Sequence, residues 1–253
     1  IEVTAEGEEF IQYAKKILAD VEFVEKRYQN KEKIEEKFSI LVPRASYIGY
    51  AFLMFTKHLN QSKTMEITYK ETNSLKAINK VLQGEYRLGI IRYRSSFEKY
   101  YQEMFLEKGL ESKLIYEFKY HLLVNETNPL CRLKEVKAND LNDFIEVCYP
   151  DPYVPNLPFS DVKKIEFSNA IKKRIYIYER ATKLDLLENL DNTFMWVSPI
   201  PQALLNKYHL VELEAIDNNS LFKDVLIYKK GYQFTKIDCD FLNILDDVIK
   251  KMV

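Results

Sequence analysis

The side chains able to do chemistry in this sequence gather just beyond short apolar runs. Phe38–Val42 is a run of mostly β-forming residues, Pro43 closes it, and Arg44, Ala45, Ser46 and Tyr47 lead into an amphipathic stretch. Strand, tight turn and helix start is the arrangement in which free backbone N–H groups, helped by a neighbouring arginine, hold an anion such as a carboxylate. The polar turn Thr72-Asn73-Ser74 and the pair Arg92-Tyr93 follow the next two strand-like runs in the same way. Each of these residues also has a plainer role. Ser46, Asn73 and Ser74 are good helix caps, and Arg92 suits a surface ion pair. Little else resembles a reaction centre. His58, His121 and His209 are scattered, so neither a zinc set nor a Ser/His/Asp triad can be assembled from spacing, and there is no G-x-G-x-x-G or Walker loop. The carboxylates Asp246 and Asp247 fall on a closing helix and read as solvated. Cys131, Cys148 and Cys239 are far apart, which favours a reducing compartment over a disulfide framework, and Cys148 reads as a structural thiol. No cofactor and no metal is expected.

These residues need a scaffold, and the order of apolar patterns supplies one. Residues 4–36 read as a helix, with Thr4 as N-cap and Glu6, Glu8 and Glu9 in the first turn, where the dipole favours negative charge. Phe10, Ala14, Ile17, Val21, Val24 and Tyr28 recur at spacings of four and three, a heptad seam that suits dimerisation as well as packing within one domain. After it come a strand at 38–42, a helix at 46–59 with Ile48, Phe52, Phe55 and Leu59 on its face, and a strand at 65–70. A helix follows with Leu75, Ile78, Val81 and Leu82 facing the core and Gly84 as its stop, then a strand at 86–91. This βαβαβ order implies parallel pairing with right-handed crossovers. Farther on, 97–108 reads as helix and 113–124 as one long strand or two. Residues 144–148, 174–178, 194–197, 209–213 and 222–228 read as strands. Residues 163–172 are weakly helical, 184–190 helical, and 239–252 a closing amphipathic helix. The proline-rich stretch Tyr149–Pro155 cannot be regular structure.

The 37 basic and 38 acidic side chains leave a formal charge of −1, which argues against a large nucleic-acid footprint on these 253 residues themselves. The hydrophobic fraction of 47% is enough for a real core, while no apolar run approaches the roughly 20 residues that span a bilayer. No basic stretch followed by an apolar core marks a signal peptide, and the first residue is Ile1, as expected of a fragment.

Three segments carry a family resemblance. Val3-Thr-Ala-Glu-Gly7 resembles the "L-T-x-x-G" junction of LysR-type transcriptional regulators, Gln12-Tyr-Ala-Lys-Lys-Ile-Leu18 the start of their linker helix, and Leu82-Gln-Gly-Glu-Tyr-Arg-Leu-Gly-Ile90 their "L-x-x-G-x-x-D-L-A-I" segment. Each motif is weak alone, but the element order runs along essentially the whole chain. The resemblance implies an α/β fold in which a long N-terminal helix precedes a two-lobed type 2 periplasmic-binding-protein-like domain. Residues 1–36 would be the linker and dimerisation helix and 37–253 the effector-binding domain, with lobe I at 37–117 and 224–253 and lobe II at 118–223. The two crossover strands would lie near Phe118–Val124 and Val225–Tyr228. Two departures stand out: Arg87 replaces the usual aspartate, and Leu190-Asp-Asn-Thr193 replaces a glycine-rich segment.

The resemblance also implies a function. A small effector, with a carboxylate as the favoured chemistry, would bind between the lobes. Arg44, Ser46, Tyr47, Thr72, Asn73, Ser74 and Arg92 would form one wall, and Pro152, Tyr153 and Ser198 the other. Ser74 falls on the family's effector-contacting hydroxyl position, and Arg92 on one that reaches the effector in some relatives. Pro152 and Tyr153 could equally form a rigid surface loop; Trp196 suits a core position better than a ligand platform, and Arg180 solvent better than the cleft. The protein would be a cytoplasmic, non-enzymatic regulator, self-associating as a dimer or tetramer and touching DNA only through an absent helix-turn-helix head. A solute-binding receptor and a small-metabolite enzyme on the same scaffold are the alternatives.

Overall fold

The computed structural model describes residues 36–59, 63–150, 171–178 and 180–252, together with positions 4, 7, 10–11, 13–15 and 17–21. The chain forms two compact units, Ile1–Lys37 with Asn60–Glu66, and Phe38–Leu59 with Ile67–Val253.

In the first unit the described positions between 7 and 21 are helical. The Thr4 hydroxyl accepts the Gly7 N–H at 3.2 Å, so Thr4 is the N-cap that its residue type suggests. Phe10, Ile17 and Val21 of the heptad seam stand open to solvent, Phe10 at 72% exposure. Val24 and Tyr28 lie outside the described residues. The short segment before residue 66 adds ion pairs from Lys63 to Glu36 at 2.8 Å and from Lys37 to Glu66 at 3.0 Å.

The second unit contains two five-stranded sheets of the same design. The first comprises β1 (Glu36–Val42), β2 (Met65–Glu71), β3 (Leu88–Arg94), β4 (Leu110–Lys119) and β10 (Leu221–Lys229), in the order β2-β1-β3-β10-β4. β1 and β3 pair in parallel, while β10 runs antiparallel to both β3 and β4. The second comprises β5 (His121–Asn125), β6 (Ile145–Cys148), β7 (Arg174–Tyr176), β8 (Thr193–Val197) and β9 (Leu210–Leu213), in the order β7-β6-β8-β5-β9. β7, β6 and β8 pair in parallel, and β5 runs antiparallel to β8 and β9. In both sheets strands that pair in parallel stand beside a strand from a distant part of the chain that enters antiparallel.

Each sheet buries both faces because its side chains alternate with period two. Ile40, Val42, Leu88, Ile90 and Leu226 face the helices α1 (Ser46–Lys57) and α6 (Lys236–Lys250). Leu41, Ile91, Val225 and Ile227 face α2 (Ser74–Gln83) and α3 (Glu98–Glu107). In the second sheet Leu123 and Leu122 diverge in the same manner. Leu123 joins the cluster containing Leu187 of α4 (Arg180–Asn189) and Leu205 of α5 (Gln202–Lys207), and Leu122 joins the one around Leu141 and Phe194. The closing helix begins one turn before Cys239, where Thr235 and Asp238 form a reciprocal capping box.

Several boundaries differ from the sequence expectations. The long run at 113–124 is two strands, broken at Tyr120, where the chain first passes from one sheet to the other. The return passage lies at 214–220. Val225–Tyr228, expected as the second crossover, is the interior of β10 and pairs throughout with β3 and β4. Phe118 and Leu221–Lys223 likewise pair within the first sheet, because antiparallel pairing with β4 extends β10 to Leu221. The third strand runs two to three residues later than 86–91, since Gly84 and the turn after it occupy the chain as far as Arg87. Leu75, expected on the core face of α2, is 40% exposed; Ala77, Ile78 and Val81 fill that face. Helix α5 was not anticipated, being only six residues long. The expected weak helix falls largely outside the described residues.

Gly84 closes α2 in the left-handed conformation, with φ 79° and its N–H returned to Lys80 or Val81 carbonyls. A side chain there is strained by its Cβ. Gly84→Ala should therefore lower unfolding stability by about 1 kcal/mol, read as a lower urea midpoint with an unchanged m-value.

Candidate functional site

The site begins where β1 ends. Pro43 and Arg44 break the strand, and Ala45 precedes α1 in extended conformation with no side-chain cap. Ser46 is thus the first helical residue rather than the N-cap expected of it, which leaves its hydroxyl for contacts across the lobes. The Lys183 ammonium of α4 lies 3.4 Å from Ser46 Oγ, and both residues are buried. The Arg44 guanidinium lies over the ring of Tyr149, 4.5 Å from its centre. These two contacts bring the start of α1 together with the second sheet's helix and loop residues.

Tyr47, Ser74 and Arg92 converge on one buried network. The Arg92 guanidinium donates from Nε to Asp224 Oδ1 at 2.7 Å and from Nη2 to Oδ2 at 2.6 Å, a bidentate pair. The Tyr47 hydroxyl donates to Asp224 Oδ2 at 2.5 Å. Asp224 has no exposed surface, and the Arg92 side chain is 12% exposed. The Arg92 group also lies near the rings of Phe118 and Tyr120, at 4.7 and 5.6 Å, and donates to the Tyr120 hydroxyl at 3.3 Å. Burial, then the adjacent Asp224 carboxylate, pushes the Tyr47 phenol well above its ordinary range. For Arg92, burial is the largest single effect and acts against the charged form, but the Asp224 carboxylate with its hydrogen bonds and the Tyr120 and Tyr47 phenols together raise the group further, so Arg92 remains a cation. Beside this network Ile115 is an extra residue in β4, because Asp224 pairs with Tyr116 and Val225 with Leu114.

Ser74 holds the strand rather than facing outward: its hydroxyl donates to the Arg92 carbonyl at 2.8 Å and accepts the Arg92 N–H at 3.2 Å. Asn73 caps α2 through its side-chain oxygen and the Lys76 N–H at 2.9 Å. Thr72 extends the pairing of β1 and β2 with its N–H on the Val42 carbonyl at 2.9 Å. Ser198 is buried at the end of β8, beside Trp196, which packs edge-on against Phe194. Pro152 and Tyr153 lie outside the described residues.

A cavity of about 230 Å³ opens beside this cluster. On the first lobe it is lined by Ser46, Gly49, Tyr50 and Leu53, which share one face of α1 at spacings of three and four. The second lobe contributes Leu123, Leu184, Ile200 and Leu210, together with Leu204, Leu205 and Tyr208 around α5. Among the described residues, Ser46 is thus the one sequence-predicted residue that lines it. The α1 face was visible in the sequence as a second apolar stripe opposite Ile48 and Phe55. Asp224, Tyr120 and Lys183 had no such signal, since the residues they meet at the site, Arg92 and Ser46, lie more than 25 residues away in sequence.

A second polar contact tightens the same region. His121 Nδ1 lies 2.7 Å from Glu212 Oε1, and Glu212 Oε2 accepts the Ile200 N–H at 3.1 Å. The first strand after the Tyr120 passage is thereby joined to β9 and to the loop carrying Ile200. Hydrogen bonding to Glu212 raises the His121 pKa, against the opposing effect of burial. Among the described residues there is no cluster of three or more His, Cys, Asp and Glu side chains that could hold a metal ion. Nor is any helix among them long and apolar enough to cross a membrane.

Two α/β lobes with matching strand order, joined by two passages of the chain, define a two-lobed α/β architecture. The same fold occurs in LysR-family transcriptional regulators. A full-length mutant of BenM matches with a TM-score of 0.55 at 16% identity, over 99% of this chain and 79% of that one. The regulatory domain of NMB2055 (MetR), a LysR family regulator from N. meningitidis, matches with a TM-score of 0.56 at 14% identity, over 86% of this chain and 95% of that one. The effector-binding domain of QuiR, solved in complex with shikimate, matches with a TM-score of 0.53 at 15% identity, over 85% of this chain and 97% of that one. At these identities the likeness is one of fold. No family sequence model matches the chain, and no curated protein does.

Removing the Asp224 charge should be costly, because it leaves the Arg92 cation buried without its counter-ion. Asp224→Asn is expected to lose about 3 kcal/mol of unfolding stability, and Tyr47→Phe about 1 kcal/mol, both measured by urea titration. The His121–Glu212 pair should show in pH dependence. Because the folded pKa of His121 is raised, its contribution is fully present below the ordinary histidine value of about 6.5 and is lost as pH rises through the raised value. The melting temperature of the parent chain should fall with rising pH in that window relative to His121→Gln, by the equivalent of about 1 kcal/mol or less for a partly exposed pair.

Proposed function

We propose that this chain is the effector-sensing and dimerisation part of a cytoplasmic LysR-type transcriptional regulator, binding a small molecule between its lobes. It acts as a sensor rather than an enzyme, and it governs a helix-turn-helix head that is separate from these residues. The observation that carries this reading is the cavity lined by both lobes, within a fold shared with LysR-family effector-binding domains. A ligand seated there touches α1 of the first lobe and α5 of the second, so its binding energy depends on how the lobes meet. Two states that differ in lobe geometry then have different affinities for it, which is the requirement for a switch.

Self-association runs through the N-terminal helix. Phe10, Ile17 and Val21 are exposed at heptad-like spacing, and two copies laid along this stripe bury it at little polar cost. The preference for a carboxylate rested on Arg44, Arg92 and the helix N-termini. Tyr149 and Asp224 engage the two arginines, so the support for an anion is less than the sequence alone offered.

Two measurements test the reading. Sedimentation equilibrium should give a dimer or tetramer for the chain, and Ile17→Glu combined with Val21→Glu should shift it toward monomer by at least tenfold in dissociation constant. The chain alone should not retard duplex DNA sequence-specifically, whereas a version joined to its helix-turn-helix head should do so in an effector-dependent way. Sequence-specific retardation by the 253 residues alone, or turnover of a bound metabolite, would overturn it.

A further inference from the structure

We infer that the inter-lobe cavity selects a compact, uncharged molecule with an apolar body about the size of one substituted six-membered ring, carrying a single hydrogen-bond acceptor toward Ser46. This rests on the effector-sensor reading and narrows it to a ligand class.

Size sets the first limit. Apolar cavities of about 150 Å³ admit benzene, so the 230 Å³ here holds a ring with a few further atoms.

Chemistry sets the second. Among the described residues, none that lines the cavity carries a charged side chain, and most are leucine or isoleucine. The two arginines that made an anion attractive are directed elsewhere. Arg92 is held by both Asp224 oxygens and covered by the Phe118 and Tyr120 rings, and Arg44 lies on Tyr149. Neither lines the cavity. A carboxylate moved into it would lose its water shell against leucine side chains, a cost of several kcal/mol, and the nearby Lys183 ammonium lies outside the lining and already donates to Ser46 Oγ. A neutral ring loses nothing comparable and gains the burial of its apolar surface.

Ser46 supplies orientation. The Lys183 ammonium can only donate, so at 3.4 Å from Ser46 Oγ it approaches as a donor to that oxygen. The Ser46 hydroxyl hydrogen is then available to point into the cavity and donate to an acceptor on the ligand. An alcohol, ether or carbonyl oxygen meets that requirement without bringing charge. Among the described lining residues, Tyr50 and Tyr208 also carry phenols, which suit the edge of a ring and add no net charge.

Benzyl alcohol and benzoate separate the classes, since they share a ring and nearly a shape but differ in charge. Each is added to the 253-residue chain at about 10 mM and followed by thermal melting and by isothermal titration. Benzyl alcohol should raise the melting temperature by about 3 °C at ten times its Kd, and benzoate should raise it by less than a third of that. Leu204→Trp, which fills the cavity, should abolish the benzyl alcohol shift while keeping the parent circular dichroism spectrum. Ser46→Ala should weaken benzyl alcohol binding about fivefold and leave binding of toluene, which has no acceptor, unchanged. Stabilisation by benzoate equal to or above that by benzyl alcohol would overturn the ligand class but leave the sensor reading intact. A benzyl alcohol shift that persists in Leu204→Trp, or no shift with either compound, would overturn the cavity as the site. The sensor reading fails separately, if DNA retardation by the head-bearing protein ignores every metabolite tested.

Discussion

Asp224 carries a buried carboxylate on which the organisation of the site depends. It stands on β10, a strand that the chain reaches only after returning from the second lobe, and there it meets Arg92 from β3 and Tyr47 from α1. A buried charge of this kind is tolerable only when its partners are fixed and well oriented. The bidentate Arg92 contact satisfies both oxygens, and the Tyr47 hydroxyl adds a third donor. Three elements far apart in sequence are therefore held in one arrangement. The start of α1 and the end of β3 are set by it, and so is the position of the cavity that α1 lines.

The same network determines which charges the cleft can offer. Arg92 is at the place where an anion would be sought, yet Asp224 neutralises it and aromatic rings cover it. Arg44 turns toward Tyr149, tying the two lobes by a cation–π contact. Ser74 joins α2 to the backbone of β3 instead of presenting its hydroxyl to a ligand. The polar residues at the strand ends mostly build the wall, and the face left open to the cavity is apolar. Ser46 is the exception, because Ala45 takes the N-cap position and frees its hydroxyl.

The passages between lobes are short and supported by side chains. Tyr120 sits at the first, touching Phe222 across to the return strand at 4.3 Å between ring centres. The Asn218 side chain, in the second passage, donates to the Tyr120 carbonyl at 2.8 Å. His121 and Glu212 then connect the first strand of the second lobe to the Ile200 loop. A change in how the lobes meet is thus felt by polar contacts at the passages as well as by the cavity wall.

Much of the architecture was legible from local pattern. Alternating apolar residues, the Asn73 and Thr4 caps, the Gly84 stop and the heptad spacing of Phe10, Ile17 and Val21 are short-range signals, and each specifies its element without distant help. The βαβαβ order implied the parallel pairing of β1 with β3, and the matching fold of the LysR-family structures agrees with the resemblance carried by three weak motifs. Tertiary structure alone decided the partners. That β10 enters beside β3, that Asp224 faces Arg92, that Lys183 reaches Ser46 and that the passages fall at Tyr120 and 214–220 all depend on pairing across more than 25 residues. Sequence determines which side chains can be charged or apolar. Which charge is cancelled, and which apolar face is left open, follows only from what the fold places opposite it.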